Sequence, residues 1–151
     1  FRGRVRRLNI LMSMLILYRM IDMQIRKTRW SHYNLNYHFV WIPKYRRSVL
    51  KGAVAEELQR LIEEVAKRND IEIISLSIQP NHMHLFVSAP PRFSLAQLIN
   101  LFKGYTAKKL LELFPKLRTK HGLWTRSYYV GTAGTVTEET IRRYIEECQD
   151  V

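Results

Sequence analysis

The stretch Asn81-His82-Met83-His84-Leu85-Phe86-Val87 carries the pattern that decides both the fold and the chemistry expected of this chain. Its apolar, aromatic and β-branched residues predict a β-strand. Because successive side chains of a strand point to opposite faces of a sheet, His82 and His84 share one face, while the residue between them points to the other. Two imidazoles this close can share a divalent metal ion, although an isolated His-x-His also fits an ordinary solvated strand face.

The segments around this strand predict a small α+β domain. Alternating apolar and polar residues predict further strands over residues 34–42, 71–78 and 123–130, and apolar residues three and four positions apart predict helices over residues 53–69, 94–114 and 137–149. The first six elements in chain order form the split β-α-β-β-α-β arrangement of ferredoxin-like and RRM-like domains, an antiparallel sheet with both helices on one face. The last helix follows this unit and carries Tyr144.

The connection between two of these strands sets their pairing. Gln79-Pro80-Asn81 is a tight link between the strand over residues 71–78 and the histidine strand, so the two are expected to form an antiparallel hairpin. The histidine pair would then lie on an inner strand, on one face of the sheet. Because this architecture hosts many functions, the fold alone does not decide the function.

The charge of the chain is unusual for its length. Its 151 residues contain 25 Lys and Arg against 13 Asp and Glu, which gives a formal net charge of +12 and a pI of about 10.1. Such an excess points to a polyanionic partner, with nucleic acid first and an anionic membrane surface second. The single cysteine, Cys148, excludes an internal disulfide and agrees with a reducing, cytoplasmic location.

Residues 1–29 differ in character from the rest of the chain. Four arginines precede a short apolar run over residues 10–18, which is shorter than the stretch of about 20 apolar residues that spans a bilayer. No small-residue cleavage site of a signal peptide comes after that run. We therefore expect a basic and apolar N-terminal extension over residues 1–29, dispensable for chemistry, ahead of a single domain over residues 30–151. A basic arm that adds nucleic-acid affinity or packs on a partner subunit is the alternative.

Basic side chains recur where they could reach a nucleic acid. Lys44, Arg46 and Arg47 form a turn with a tyrosine between them, which suits contact with phosphates, although a solvated loop would have the same composition. Lys103 of the second helix and Arg126 of the last predicted strand are further candidates. No nucleotide cofactor is expected, because the small-residue segment 131–134 lacks the Gly-Lys-Ser/Thr that closes a phosphate-binding loop.

Five local signatures follow one another along the chain: Lys44-Tyr45-Arg46-Arg47, Gln79-Pro80-Asn81-His82-Met83-His84-Leu85, Ser88-Ala89-Pro90-Pro91, Trp124-Thr125-Arg126-Ser127-Tyr128-Tyr129-Val130-Gly131 and Ile141-Arg142-Arg143-Tyr144-Ile145-Glu146. In this order and spacing the chain closely resembles the single-tyrosine HUH transposases of small bacterial and archaeal insertion sequences. The resemblance covers residues 33–149. It implies cleavage and rejoining of single-stranded DNA through a 5′-phosphotyrosine, recognition of DNA hairpins at the element ends, and a homodimer whose active sites are shared between subunits.

Carried over by position, the resemblance makes His82 and His84 ligands of a divalent metal ion, Mg²⁺ or Mn²⁺, and Tyr144 the nucleophile. A divalent cation offsets the charge of a phosphodiester and orients it. Tyrosine has a pKa of about 10, so its deprotonation needs help at neutral pH. The spacing of Tyr144 to its apolar neighbours Ile141 and Cys148 would equally make it a packing residue on the apolar stripe of the last helix.

The third metal ligand is where this sequence departs from the family pattern. The family commonly has Gln or Asn four residues after the tyrosine, whereas this chain has Cys148 there and Gln149 one position later, about 100° further around the helix. A thiol is a poor ligand for Mg²⁺. Gln149 is expected to be the third ligand if the helix shifts locally, and water or another group is the alternative.

Two other functions fit parts of the sequence. A four-stranded sheet with aromatic and basic residues is also the surface of some RNA-binding modules, but their signature aromatic stretch is absent and they would need neither the histidine pair nor Tyr144. A domesticated relative that processes hairpins without mobilising an element would use the same residues as a transposase. The metal-dependent tyrosine transposase accounts for the most features together.

Overall fold

The computed structural model describes residues 25–132 and 144–147. Two compact units divide between Asn34 and Leu35. Most of the predicted last helix, with Cys148 and Gln149, lies outside the described residues, and so do residues 1–24. The expectation that residues 1–29 are an extension and residues 30–151 a single domain stays a prediction.

The described part of the first unit is a short hairpin. Strand β1 (Arg26–Lys27) pairs antiparallel with β2 (His32–Tyr33). The Thr28 hydroxyl accepts hydrogen bonds from the backbone N–H groups of Trp30 and Ser31, at 3.3 and 3.1 Å, and so fixes the turn. The sequence did not predict this hairpin, because strands of two residues are too short to show a periodic pattern.

The second unit contains the predicted four-stranded antiparallel sheet. Its strands are β3 (Asn36–Trp41), β4 (Glu72–Gln79), β5 (His82–Ser88) and β6 (Tyr129–Gly131), and their spatial order is β4-β5-β3-β6. Each neighbouring pair is antiparallel. Helix α1 (Ala53–Arg68) follows β3 and helix α2 (Leu95–Leu113) follows β5, which confirms the split β-α-β-β-α-β fold.

Both helices form where the sequence provides a start and an apolar side. The predicted stripe of α1 is buried, and its members are Leu58, Leu61, Ile62 and Val65. Helix α2 begins with a capping box in which the Ser94 hydroxyl accepts from the backbone N–H of Gln97, and the Gln97 side chain accepts from the backbone N–H of Ser94. It ends before Pro115, whose ring cannot continue the helix.

The helices cover one face of the sheet, and the histidines lie on the other. Met83 and Leu85 of β5 are fully buried in the main core together with side chains of both helices. Since alternate residues of β5 point the opposite way, His82 and His84 are directed away from that core. The link Pro80-Asn81 joins β4 to β5, with Gln79 paired to His82, so the predicted hairpin is also confirmed.

The predicted strand over residues 123–130 was largely wrong. Strand β6 covers Tyr129–Gly131, and before it Trp124 makes only an isolated bridge to Pro43. Between them the ammonium group of Lys103 donates hydrogen bonds to the carbonyls of residues 125, 126 and 127. Those carbonyls are bound by a lysine rather than by a neighbouring strand, which a pattern of alternating side chains cannot reveal.

No helix among residues 25–132 and 144–147 has both the length and the apolar character needed to cross a membrane.

The three carbonyl contacts of Lys103 give a stability prediction. Replacing Lys103 by Met keeps much of the side-chain volume but leaves the carbonyls of residues 125–127 without their cationic donor. We expect a loss of about 1.5–3 kcal/mol in the free energy of unfolding, the range for hydrogen bonds to charged groups. Urea unfolding measures it. Lys108→Met, on an exposed position of the same helix, is the matched control; equal effects of the two changes would contradict the assignment.

Candidate active site on the histidine face of the sheet

The face of the sheet away from the helices carries three histidines, and we call it the histidine face. His82 and His84 extend from β5 and are partly buried, and His38 extends from the neighbouring β3 and is 5 % exposed. The strand register pairs His38 with Phe86 and Val40 with His84. The structure therefore brings together the two predicted histidines and one that the sequence did not single out.

His82 has a partner that fixes the tautomer of its neutral ring. Its Nδ1 atom lies 2.9 Å from the side-chain oxygen of Asn81. Because an amide oxygen can only accept, Nδ1 carries the proton and the Nε2 lone pair remains available. Metal-binding histidines have this arrangement, in which the second ring nitrogen donates to an oxygen.

His84 contacts His38 instead. Its Nε2 atom lies 3.0 Å from Nδ1 of His38, a hydrogen-bond distance between two rings whose centroids are 5.2 Å apart. The His38 ring in turn stacks on Phe86, with centroids 3.8 Å apart and planes 3° from parallel. The sequence shows only that His38 is a polar residue on an inner strand. No sequence pattern indicates its contact with His84, because only the β3–β5 register brings together these residues, which are 46 positions apart.

Burial changes the acidity of both predicted ligands. It lowers the pKa of His82 below the ordinary value of 6.5, because the surrounding protein disfavours the charged ring. The pKa of His84 is lowered by the same cause and further by the neighbouring His38 and His82. Both imidazoles are therefore mainly neutral at pH 7, which is the state that binds a metal ion.

The described residues fit part of a divalent-ion site. His82 presents a free Nε2 lone pair, and a neutral His84 can contribute a second nitrogen. Over residues 25–132 and 144–147, however, no three or more His, Cys, Asp or Glu side chains are placed to bind one ion together. A third protein ligand would have to be another kind of residue or come from elsewhere in the chain, and Gln149 and Cys148 both lie outside the described residues.

Tyr144 also packs on the histidine face. Residues 144–147 are helical, and Tyr144 is 7 % exposed in a cluster with Val40, Ile42 and Ile145. Val40 is the residue paired with His84 across the strands, so the tyrosine packs beside the histidine pair. Its hydroxyl lies 3.4 Å from the hydroxyl of Ser127. This burial agrees with the packing alternative for Tyr144, and its role as nucleophile stays a prediction.

The basic turn is more closely packed than a solvated loop. Lys44 is only 7 % exposed, and its backbone N–H donates to the carbonyl of Leu123 at 2.7 Å. The Arg47 guanidinium donates to the carbonyl of Leu117, and that of Arg46 donates to the carbonyl of Ile145 at 3.5 Å. The turn therefore also holds together distant parts of the unit, including the segment that carries Tyr144.

The chain matches a known protein family over most of its length. The sequence profile of the family described as "Transposase IS200 like" matches residues 31–148. The chain belongs to the IS200-like transposase family. The resemblance seen in the sequence signatures is thereby confirmed.

Individual relatives of this transposase support its family membership. The ISDra2 transposase TnpA of Deinococcus radiodurans is 33 % identical over 136 residues, which are 88 % of this chain and 97 % of that protein. The transposase of insertion sequence element IS200 from Salmonella typhimurium is 28 % identical over 132 residues, which are 83 % of this chain and 85 % of that protein.

Solved structures show the same fold. A proposed transposase from Deinococcus radiodurans R1 superposes with a TM-score of 0.76 at 32 % identity, over 83 % of this chain and 99 % of that one. A REP-associated tyrosine transposase bound to a REP hairpin gives a TM-score of 0.53 at 17 % identity, over 80 % of this chain and 68 % of that one. At this lower identity the likeness extends to the fold alone.

The five side chains predicted to contact DNA differ in their exposure and in their contacts with the rest of the chain. Arg126 is exposed, whereas Lys103 already binds the carbonyls of residues 125–127 and Lys44 is buried. A contact of Lys103 with phosphate would compete with those carbonyls. The roles of Lys44, Arg46, Arg47, Lys103 and Arg126 in binding DNA stay predictions.

The histidine pair should make the stability of the transposase depend on pH. Because folding lowers the pKa of His82 and His84, the unfolded chain binds more protons than the folded one as the pH falls below the ordinary value of 6.5. Their contribution to stability is present above that value and is lost as the pH falls through the folded pKa. From about pH 7.5 to about pH 5.5, the double variant His82→Gln/His84→Gln should therefore lose less stability than the wild type.

Urea unfolding at the two pH values measures this difference. His121→Gln, which makes the same replacement at an exposed histidine away from the pair, is the control for the substitution itself. If the double variant also loses as much as the wild type, the shifts assigned to the pair are wrong.

Proposed function

We propose that this transposase cleaves and rejoins single-stranded DNA at insertion-sequence ends through a 5′-phosphotyrosine on Tyr144. One observation supports this most directly: Tyr144 packs on Val40, the residue paired with His84, so the tyrosine and the histidine pair belong to one face of the sheet. Membership of the IS200-like family supplies the reaction class.

In the proposed cleavage, the phenolic oxygen of Tyr144 attacks the scissile phosphorus. The bond from phosphorus to the 3′ oxygen breaks, so one DNA end keeps a 3′ hydroxyl and the other is joined through its 5′ phosphate to the tyrosine. The proton lost by the phenol is balanced by the proton gained by the 3′ oxygen. Rejoining reverses these changes when a 3′ hydroxyl attacks the same phosphorus. Since each step exchanges one phosphoester for another, no nucleotide cofactor is required.

His82 and His84 are the residues proposed to hold a divalent ion, Mg²⁺ or Mn²⁺, through neutral ring nitrogens, with Gln149 or a water molecule as a third ligand. The ion, when bound, offsets the charge of the scissile phosphate and helps to orient it. Burial supports this role, because it favours the neutral form of both rings, which has a nitrogen lone pair for an ion. The Asn81 side chain fixes the His82 ring so that Nε2 is the free nitrogen.

The burial of Tyr144 bears on how the active site is completed. A tyrosine that is 7 % exposed cannot reach a phosphodiester until its segment moves away from Val40 and Ile42. We propose a homodimer in which this segment completes an active site with the histidine pair of the other subunit. In this scheme the buried position beside its own sheet is the resting arrangement of the nucleophile.

The proposed DNA surface includes the basic turn and Arg126. Tyr45 and Arg46 both have positive φ, 60° and 54°, a backbone conformation that is uncommon for residues other than glycine. In that turn Tyr45 is 56 % exposed, with Lys44 over its ring, and so presents an aromatic face next to positive charge. An exposed aromatic ring of this kind suits stacking of an unpaired base. The net charge of +12 adds attraction for DNA and favours a reaction on cytoplasmic DNA rather than at a membrane.

DNA hairpins are the proposed recognition elements. The solved REP-associated transposase is bound to a REP hairpin and shares the fold of this chain. A relative that processes hairpins without mobilising an element would use the same chemistry. An RNA-binding sheet is less favoured, because Phe86 on the histidine face is stacked under His38 and Tyr144 covers Val40.

Removing the Tyr144 hydroxyl should abolish the covalent intermediate. Labelled single-stranded oligonucleotides from the DNA that flanks the gene are incubated with the protein and Mn²⁺, and the protein–DNA adduct is measured on denaturing gels. Tyr144→Phe should reduce the adduct at least about a thousandfold, as expected when a nucleophile is lost.

Tyr129→Phe is the matched control, because Tyr129 packs against the same cluster and its variant should form adduct normally. An adduct that persists in Tyr144→Phe would exclude Tyr144 as the nucleophile. DNA binding without any adduct in the wild type would favour a binding module.

The third ligand can be tested without DNA. If Gln149 is the ligand, Gln149→Ala should weaken Mn²⁺ binding at least about tenfold, and adding Cys148→Gln to that variant should restore it, since an amide then occupies the usual position one turn after Tyr144. Electron paramagnetic resonance of free Mn²⁺ measures the affinity. Cys148→Ser in the same background controls for loss of the thiol. Unchanged affinity in Gln149→Ala would exclude Gln149 and indicate that water or another group is the third ligand.

A further inference from the structure

We propose that His38 accepts a hydrogen bond from the His84 ring and thereby acts as a positioning residue, which selects the ring nitrogen of His84 that can bind an ion. The proposal rests on the proposed function of His84 as a metal ligand and deepens it. His38 lies on a different strand from the histidine pair, and its spacing from the pair forms no sequence motif.

The His38 ring is held in place from two directions. It stacks on Phe86 with planes 3° from parallel and centroids 3.8 Å apart, and Phe86 is the residue paired with His38 in the strand register. Only 5 % of His38 is exposed, so the ring has little room to adopt another rotamer. A ring fixed in this way can impose an orientation on a neighbour that is only partly buried, as His84 is.

The contact between the two histidines holds one proton. Nδ1 of His38 and Nε2 of His84 are 3.0 Å apart, so one nitrogen must donate and the other must accept. If His38 were the donor, the Nε2 lone pair of His84 would be occupied and its own proton would lie on Nδ1. Neutral His84 would then have no lone pair for an ion. With His84 as the donor, its Nδ1 lone pair is free.

The same logic already applies to the other histidine of the pair. Asn81 accepts the Nδ1 proton of His82 and leaves Nε2 free. His38 would accept the Nε2 proton of His84 and leave Nδ1 free. Each histidine of the pair thus has one acceptor that fixes its tautomer, and the two acceptors are supplied by different parts of the fold, the β4–β5 turn and strand β3.

Two variants separate the hydrogen bond from the packing of His38. His38→Phe keeps an aromatic ring to stack on Phe86 but has no nitrogen. His38→Asn loses the ring but places an amide oxygen near the position of Nδ1, where it can accept the same proton. A merely structural role would make the Phe variant the better substitute, whereas the proposed role makes the Asn variant the better one.

The first measurement is Mn²⁺ affinity of the full chain without DNA. We expect His38→Phe to weaken binding about 10- to 100-fold, the range for residues that orient metal ligands, and His38→Asn to recover most of the loss. Wild-type affinity in His38→Phe would overturn the proposal. So would tighter binding in that variant, because it would mean that the His38 contact competes with the ion.

The second measurement needs no variant of His38 and no metal. Long-range ¹H–¹⁵N spectra of the metal-free protein report which ring nitrogen of each histidine is protonated, and the His84 signals are assigned from their absence in His84→Gln. We expect His84 to be protonated at Nε2. Protonation at Nδ1 would overturn the proposal even if every His38 variant failed to fold.

These outcomes are separable from those of the proposed function. A wild-type protein that forms no Tyr144 adduct but has the Nε2–H form of His84 would lose the proposed reaction and keep the role of His38. A protein that forms the adduct while His84 is protonated at Nδ1 would do the reverse.

Discussion

The antiparallel register of β3 against β5 is the constraint on which the rest of this transposase depends. It pairs His38 with Phe86 and Val40 with His84, and it leaves Phe39 and Leu85 to meet in the core. Side chains alternate between faces, so a slip of one residue would bury the histidines among the helices and expose the core residues. Free energy gained by packing Phe39 and Leu85 therefore also fixes the geometry of the histidine face. The core contacts that stabilise the fold also hold the two strands of the site in register.

Two interpretations of Tyr144, a packing residue and the predicted nucleophile, are compatible with each other. Its position on an apolar stripe correctly indicates a buried residue, and it packs with Val40 and Ile42. In this position the Tyr144 side chain is shielded from solvent. The Arg46 guanidinium contacts the carbonyl of Ile145, so the basic turn and the tyrosine segment are already joined in the resting chain. Burial of Tyr144 stabilises the fold, whereas the proposed reaction would need its hydroxyl to be accessible. In this structure Tyr144 is buried.

The sequence predicted the elements of the fold well, because α1 and β5 each have a clear period, and α2 begins after the capping residue Ser94 and ends before Pro115. It predicted less where the partners are distant. His38 could not be singled out, because its contact with His84 depends on strand register rather than on spacing. The strand over residues 123–130 was overestimated, because Lys103 binds the carbonyls that a neighbouring strand would otherwise pair with. The burial of Lys44, which is 7 % exposed, could not be predicted either, since the turn packs against a later segment that its local composition does not reveal.

The sequence separation between contacting residues also predicts the order in which parts of the fold form. Helices α1 and α2 and the β4–β5 hairpin close over short stretches, whereas His38 meets His84 across 46 positions and Arg46 meets Ile145 across 99. Closing a long loop costs more chain entropy than closing a short one, and contacts between distant residues slow folding. On this account the hairpin with the two histidines forms early, β3 then completes their surroundings, and the segment with Tyr144 docks last. A newly made molecule would thus have its histidine pair in place before Tyr144 packs beside it.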